Sequence, residues 1–217
     1  MVDFNSNIII LGASGAGKGT QAKKLAAEYN LTHLEMGDIL RKLAKDNSNL
    51  GRRINQYISQ GKFLPDEVIN EIVEAELQKI PKNKGIIFDG VPRTIGQAQF
   101  LDEILVKEGR KKLIVLDLWV SPEKLVYRLL NRKICDKCGK LYCPPTSLKQ
   151  TDCECGGKLV RRSDDTEEVI KNRIVEFEKK TQELIDYYQK KGNLIKINGE
   201  PSIDQVWEEI QEALKKV

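Results

Sequence analysis

The chain has 217 residues, of which 40% are hydrophobic and 31% charged, with a formal net charge of +4. That length suits one core, with or without small inserted subdomains, and the composition excludes a disordered chain. Collagen-like and Pro-rich classes are excluded by 16 Gly and 7 Pro, no apolar run approaches the ~20 residues of a membrane span, and the mild basic excess suits a polyphosphate ligand but is too weak alone to indicate nucleic acid.

The opening MVDFNSNIIILG has an early acid, no basic stretch and an apolar run of only Ile8 to Leu11. No secretory leader is expected, so a cytoplasmic location is. Asn7 to Leu11 reads as a buried strand, followed by the glycine-rich turn Gly12 to Thr20 and a helix carrying Leu25, Ala26 and Tyr29. His33 to Glu35 is a short strand. Amphipathic stretches cover Asp38 to Ala44, Leu50 to Gln60 and Asp66 to Ile80. Gly85 to Asp89 is a second buried strand, and Thr94 to Glu108 a helix with Thr94 and Gln97 spaced as a capping box. Leu113 to Val120 is a third such strand. Ser121-Pro122 then starts a helix to about Asn131, with Ser121 as N-cap. Thr166 to Lys190 is one long helix, Leu194 to Asn198 the last strand, and Ser202 to Val217 the last helix, boxed by Ser202 and Gln205. Strands alternating with helices predict an α/β fold with a parallel sheet. Lys133 to Asp165, rich in Cys, Gly, Pro and Lys, breaks the pattern and reads as a small separate subdomain.

The turn contains G-x-x-x-x-G-K as Gly12, Gly17 and Lys18. Glycines let the backbone curl so that several N–H groups face one anion, and the following helix adds its positive end. Lys18 supplies charge for the outer phosphates of a nucleotide. Gly19 follows, so the hydroxyl of Thr20 is one residue later than usual and a metal is expected to be held differently from most phosphate loops.

All five cysteines lie between Cys135 and Cys155, which points to a local metal site and against a disulfide framework. Cys135-x-x-Cys138-Gly139 is one knuckle. The second corner, Asp152-Cys153-Glu154-Cys155-Gly156-Gly157, is irregular. Cys155 pairs either with Cys153, since sulfur is the commoner ligand, or with Asp152, which keeps the usual two-residue gap. Cys143 is a further candidate. A zinc here would be structural, because so short and polar a segment cannot build its own core.

GASGAGKGT, MGDILR (Met36 to Arg41), DGVPRTIGQA (Asp89 to Ala98) and RRSDD (Arg161 to Asp165) resemble the adenylate kinases in order and spacing, across essentially the whole chain. The cysteine segment resembles the lid of their long, zinc-containing forms. The resemblance implies a five-stranded parallel sheet with helices on both faces. It also implies a core of 1–34, 66–130 and 166–217, a nucleoside-monophosphate-binding subdomain of 35–65 and a zinc lid of 131–165. The implied reaction is transfer of the γ-phosphoryl group of ATP to AMP, giving two ADP, with Mg²⁺ accompanying ATP. The partners are then small nucleotides alone, without nucleic acid or membrane, and the protein a monomer.

Such a reaction needs no general base, since the accepting phosphate is largely ionised at pH 7. It needs cations that bring two polyanions together. That agrees with a chain whose one histidine, His33, reads as structural. The resemblance implies that Gly15, Ala16, Gly17, Lys18, Gly19 and Thr20 cradle ATP, and that Arg128 and Arg132 hold it. Leu141, Tyr142 and Pro201 contact it, with Arg132 near the adenine. Arg41 and Arg93 would hold the AMP phosphate, while Lys62, Phe63, Leu64, Gly90, Val91 and Pro92 line the AMP pocket. Arg162 and Arg173 would bridge the substrates, Asp89 would orient Mg²⁺ through water, and Gln97 would bond the AMP base besides capping its helix. Arg52, Arg53, Arg110 and Arg161 match nothing in the pattern and read as surface charges. Met36 stands where the family usually has Thr, and Val91 where it more often has an aromatic residue, so weaker discrimination among bases is expected. A broader nucleoside monophosphate kinase and a zinc-ribbon nucleic-acid binder are the alternatives. The second lacks interleaved aromatic and basic residues near its cysteines.

Overall fold

A computed structural model describes residues 6–110, 112–162 and 164–216. Five parallel strands form the central sheet: β1 (Asn7–Leu11), β2 (Thr32–Glu35), β3 (Ile86–Asp89), β4 (Leu113–Trp119) and, at the far edge, Leu194–Asn198. The spatial order is β2, β3, β1, β4, then the Leu194–Asn198 strand. The central strands are buried on both faces, as a sheet covered by crossover helices requires. Their side chains alternate between two cores. Ile9, Leu11, Ile86, Phe88 and Val115 face one, while Ile8, Ile10, Ile87, Ile114 and Leu116 face the other.

Helices α1 (Lys18–Glu28), α2 (Met36–Leu43), α3 (Asn49–Ser59), α4 (Asp66–Leu77), α5 (Ile95–Lys107) and α6 (Pro122–Leu130) follow in chain order. The first core is closed by α3, α4, α5 and the long helix Glu167–Lys190, through Ile54, Val73, Leu101, Leu184 and Tyr188. The second is closed by α1, α6 and the final helix Ile203–Leu214, through Leu25, Leu125 and Ile210. The capping box at Ser202 and Gln205 is present. The predicted helix end at Val217 lies outside the described residues.

Between α6 and the long helix, the chain makes an antiparallel three-stranded sheet: β5 (Lys133–Cys135), β6 (Leu141–Tyr142) and β7 (Leu159–Val160), with β5 in the middle. The short helix Thr146–Lys149, α7, lies within it. The long helix is then α8, the last strand β8 and the last helix α9. Among the described residues, no helix is long and apolar enough to cross a membrane.

Two local expectations change. Arg110 is a buried residue, its side chain 1% exposed, and does not belong to the surface. Its guanidinium donates to the carbonyls of Ile80, Pro81 and Lys84 and pairs with Glu108, tying the turn before β3 to the end of α5. Arg52, Arg53 and Arg161 are exposed as expected. Ser121 precedes Pro122 but its side chain does not cap α6. It donates instead to Glu200 Oε1 at 2.6 Å, tying the start of α6 to the loop after β8.

Candidate active site

The loop between β1 and α1 sits at the C-terminal ends of the strands. There β3 and β4 lie on opposite sides of β1, the crevice in which open α/β sheets bind ligands. Gly17 has φ +100°, a conformation that strains any residue with a Cβ, and a Cβ on Gly12 would come within 2.7 Å of the Leu118 carbonyl. The motif glycines are therefore required by backbone geometry. Lys18 Nζ donates to the carbonyls of Gly12 and Ala13 at 2.8 and 3.0 Å, folding back over the loop. Burial pushes its pKa down to about 8, against the opposing pull of Asp89.

One cleft, enclosing about 1330 Å³ of space partly open to solvent, joins this loop to distant parts of the chain. Gly15, Gly17, Gly19 and Thr20 line it with Lys18. Met36, Arg41, Lys62, Phe63, Leu64, Gly90, Arg93 and Gln97 form the side below α2 and α3. Arg128, Arg132, Leu141, Arg162 and Arg173 come from α6, the cysteine segment and α8. Six arginines and two lysines separated by up to 155 positions thus face one space.

Each cation has a placement with a cause. Arg93 donates from Nε to the Gly90 carbonyl at 2.8 Å and lies 4.9 Å over the Phe63 ring. Burial, then Arg173, lowers its pKa to about 10. Arg128 donates to the carbonyls of Gly199 and Glu200. Arg41 pairs with Asp38 one helical turn away. Arg132 grips Asp165 through Nε and Nη2 at 2.8 and 2.6 Å, and Arg162 grips Asp164 at 3.0 and 2.9 Å. Arg173 bonds both aspartates, at 2.6 and 3.1 Å. Opposing its own desolvation, these two arginines hold the Asp164 carboxyl well below the ordinary carboxylate range. Asp164 and Asp165 therefore hold three guanidinium groups in fixed directions. Sequence reasoning quoted both within a motif and gave neither a role; two adjacent carboxylates before the N-cap Thr166 were the available signal.

Several expected positions fall elsewhere. Ala16, Pro201 and Tyr142 do not line the cleft. Pro201 follows the two carbonyls that hold Arg128. Tyr142 is buried, and its hydroxyl donates to Cys153 Sγ at 3.2 Å, while its neighbours Leu141 and Cys143 reach the cleft. Val91 and Pro92 are buried beside the cleft, with Pro92 lining a small adjoining cavity. Met36 borders the cleft but is packed into the first core at 1% exposure. Arg132 is committed to Asp165 rather than free to meet a base. Gln97 departs from a capping box: Thr94 Oγ1 accepts its N–H at 3.2 Å, but its own Oε1 accepts from the Arg93 N–H, and its Nε2 donates to Asp66.

Asp89 ends β3 as expected, is buried, and has its Oδ2 3.2 Å from where a Cβ on Gly19 would lie. A carboxylate facing the phosphate loop provides the hard oxygen that Mg²⁺ takes. His33, expected to be merely structural, has its Nε2 3.3 Å from Asp89 Oδ2. Glu35, missed by sequence reasoning, lines the cleft beside Arg41.

In the cysteine segment, Cys135 Sγ lies 3.5 Å from Cys155 Sγ, and Cys138 Sγ lies 3.6 Å from Cys153 Sγ. All four sulfurs fall within 4.8 Å of one another. A tetrahedral zinc with Zn–S of about 2.3 Å sets its sulfurs about 3.8 Å apart, so the four thiols fit such an ion. The two alternatives lie apart from this cluster: Asp152 is exposed and paired with Lys158, and Cys143 lines the cleft. The irregular corner closes because Gly157 has no Cβ to collide with Cys135 Sγ, and its carbonyl accepts from the Cys153 N–H at 2.8 Å.

Known proteins carry the same chain plan. Residues 10–193 match the model of the adenylate kinase family. The adenylate kinase of Caldanaerobacter subterraneus subsp. tengcongensis is 44% identical over 210 residues, 95% of each chain. Those of Methanosarcina barkeri and Archaeoglobus fulgidus are 43% and 40% identical over 213 and 215 residues, covering 97% of this chain and 99% of each relative. A phosphate loop at the sheet's switch point, cations converging on one cleft and likeness over nearly the full length lead to one conclusion: the chain belongs to the adenylate kinase family, which moves the γ-phosphoryl group of ATP reversibly onto AMP to give two ADP.

Proposed function

We propose that the cleft divides between two nucleotides that meet at its middle. Gly15 to Thr20, Lys18 and Arg128 take the ATP phosphates, and Arg41 and Arg93 the AMP phosphate. Arg132, Arg162 and Arg173 close over the transferring group. What supports this most directly is the convergence of these cations, already aimed by Asp164 and Asp165, on one space beside the phosphate loop. Pre-aimed charges stabilise a developing transition state without reorganising when it forms. Asp89 is the residue to hold water on the Mg²⁺ that accompanies ATP; that ion neutralises charge on the transferring group. As ATP and AMP arrive, their phosphates replace the two aspartates as partners of Arg132, Arg162 and Arg173.

The chain then works as a core (1–34, 66–130 and 166–217) with two closing pieces, 35–65 on the AMP side and a zinc-braced lid at 131–165. Closure keeps water from the γ-phosphoryl group. Asn172 on α8 already donates to the Gln60 carbonyl at 3.1 Å, a contact a closing AMP-side piece would make. Limited proteolysis measures this: a bisubstrate analogue should protect both 38–64 and 133–165, and unchanged cleavage there would count against it.

Base choice rests on Met36 and Gln97. A thioether neither donates nor accepts well, and one missing hydrogen bond is worth roughly 0.5–1.5 kcal/mol. AMP is expected to be a good substrate, with a few-fold to about tenfold weaker discrimination against CMP, UMP and GMP than in Met36→Thr. A coupled assay of kcat/KM across the four monophosphates decides. Rejection of the other three by about 10⁴-fold in the wild type would show that Met36 is no relaxed reader.

A further inference from the structure

At the edge of the sheet, three side chains with metal-ligand chemistry meet. His33 and Glu35 are two apart on β2 and so point to the same face. Glu35 pairs in register with Asp89 on β3. One ligand atom from each of His33, Glu35 and Asp89 lies within 4.8 Å of the others. His33 Nε2 and Asp89 Oδ2 are 3.3 Å apart. An ion about 2.1 Å from both would see them at roughly 100–105°, between the octahedral and tetrahedral angles.

We propose that His33, Glu35 and Asp89 form a divalent-cation site of mixed imidazole and carboxylate ligands beside the AMP phosphate subsite, suited to Mn²⁺ and similar ions that accept nitrogen. This goes beyond the water-mediated role of Asp89 toward Mg²⁺, because it operates without nucleotide and adds a nitrogen ligand that Mg²⁺ does not favour. Charge around the site agrees. Glu35, Asp38 and Asp89 bring three carboxylates together, and burial followed by the other two carboxylates pushes Glu35 upward. Its own cations hold it only by long ion pairs, Arg41 at 3.5 Å and the 56% exposed Lys23 at 4.0 Å. Near Asp89, Lys18 and Arg93 are the groups that phosphates engage. A bound ion would offset the carboxylates that otherwise repel the incoming AMP dianion.

His33 is the chain's one histidine, which makes the test specific. Mn²⁺ is added to nucleotide-free protein whose lid zinc has been verified by elemental analysis. Mn²⁺ will not displace zinc from four thiolates, being harder and lower in the affinity order. Bound Mn²⁺ is counted by electron paramagnetic resonance, and pulsed spectra report any coupled ¹⁴N. One Mn²⁺ per chain with an imidazole nitrogen coupling is expected. Glu35→Gln should weaken binding about tenfold or more, and His33→Asn should do the same and abolish the coupling. Should either variant fail to fold, the wild-type spectrum still decides. No bound ion without nucleotide, or a bound ion with no nitrogen coupling, overturns the site.

Discussion

The phosphate-loop core and the cysteine lid solve the same problem, holding charged groups in fixed positions, by opposite means. Behind the loop stand two apolar cores drawing on all five strands and eight helices, with residues such as Ile9, Phe88 and Leu101 fully buried. Each such side chain contributes about 1.5–3 kcal/mol, so the strand ends carrying Lys18, Asp89 and Arg93 are held by packing. The lid has a cluster of only four buried residues, Cys135, Tyr142, Cys153 and Leu159, two of them zinc-ligand candidates. Its strands are two or three residues long. Four convergent thiols replace the missing apolar core, with the Tyr142 hydroxyl as a hydrogen-bond donor behind them. The platform is thus held by packing and the cysteine segment by its own separate brace.

The largest effect is expected on the platform. Lys18→Ala and Arg93→Ala should each lower kcat by about 10²-fold or more while the circular dichroism stays that of a folded protein. Near-normal turnover in either would move the clamp's weight to the lid and break the comparison.

A smaller effect concerns pH. Lys18 is pushed down to about 8 by burial in the free protein, and arriving phosphates raise it again. Below about pH 8 the ammonium is already charged and ATP affinity should be flat. Above it, binding must take up a proton, so affinity falls by up to about tenfold per pH unit until the bound-state pKa is reached. Calorimetry in buffers of different ionisation heat should find uptake at about pH 9 and little at about pH 7. Equal uptake at both values would show that burial does not depress Lys18.

The smallest effect on chemistry, and a clear one on stability, is expected from the lid. Elemental analysis should find one zinc per chain. A chelator should lower the melting temperature while room-temperature activity stays within a few-fold, because the metal lies off the reaction path. Cys153→Ser should lose the zinc and Asp152→Ala should keep it. The reverse would return the fourth ligand to the carboxylate.

The order of strands and helices outside the cysteine segment, the phosphate loop and the cysteine knuckle were legible in the sequence because each is local. Period-two and period-3.6 patterns, a glycine turn and a two-residue ligand gap all act over a few neighbouring residues. The resemblance then carried residue roles to positions far apart, and the cleft brings most of them together. What the tertiary structure decided is what lies across the chain from what. Arg110 is buried because three carbonyls some 26 to 30 residues earlier converge on it. Cys153 rather than Asp152 meets the other thiols because the fold of the corner turns the carboxylate to Lys158 and the sulfur inward. Cys143 faces the cleft because β6 sends Tyr142 to the thiol cluster and its neighbours to the other side. His33 meets Asp89 across 56 positions through strand register. Spacing along a chain states which groups can neighbour one another within an element; desolvation and pairing between elements depend on register and packing, which only the folded molecule sets.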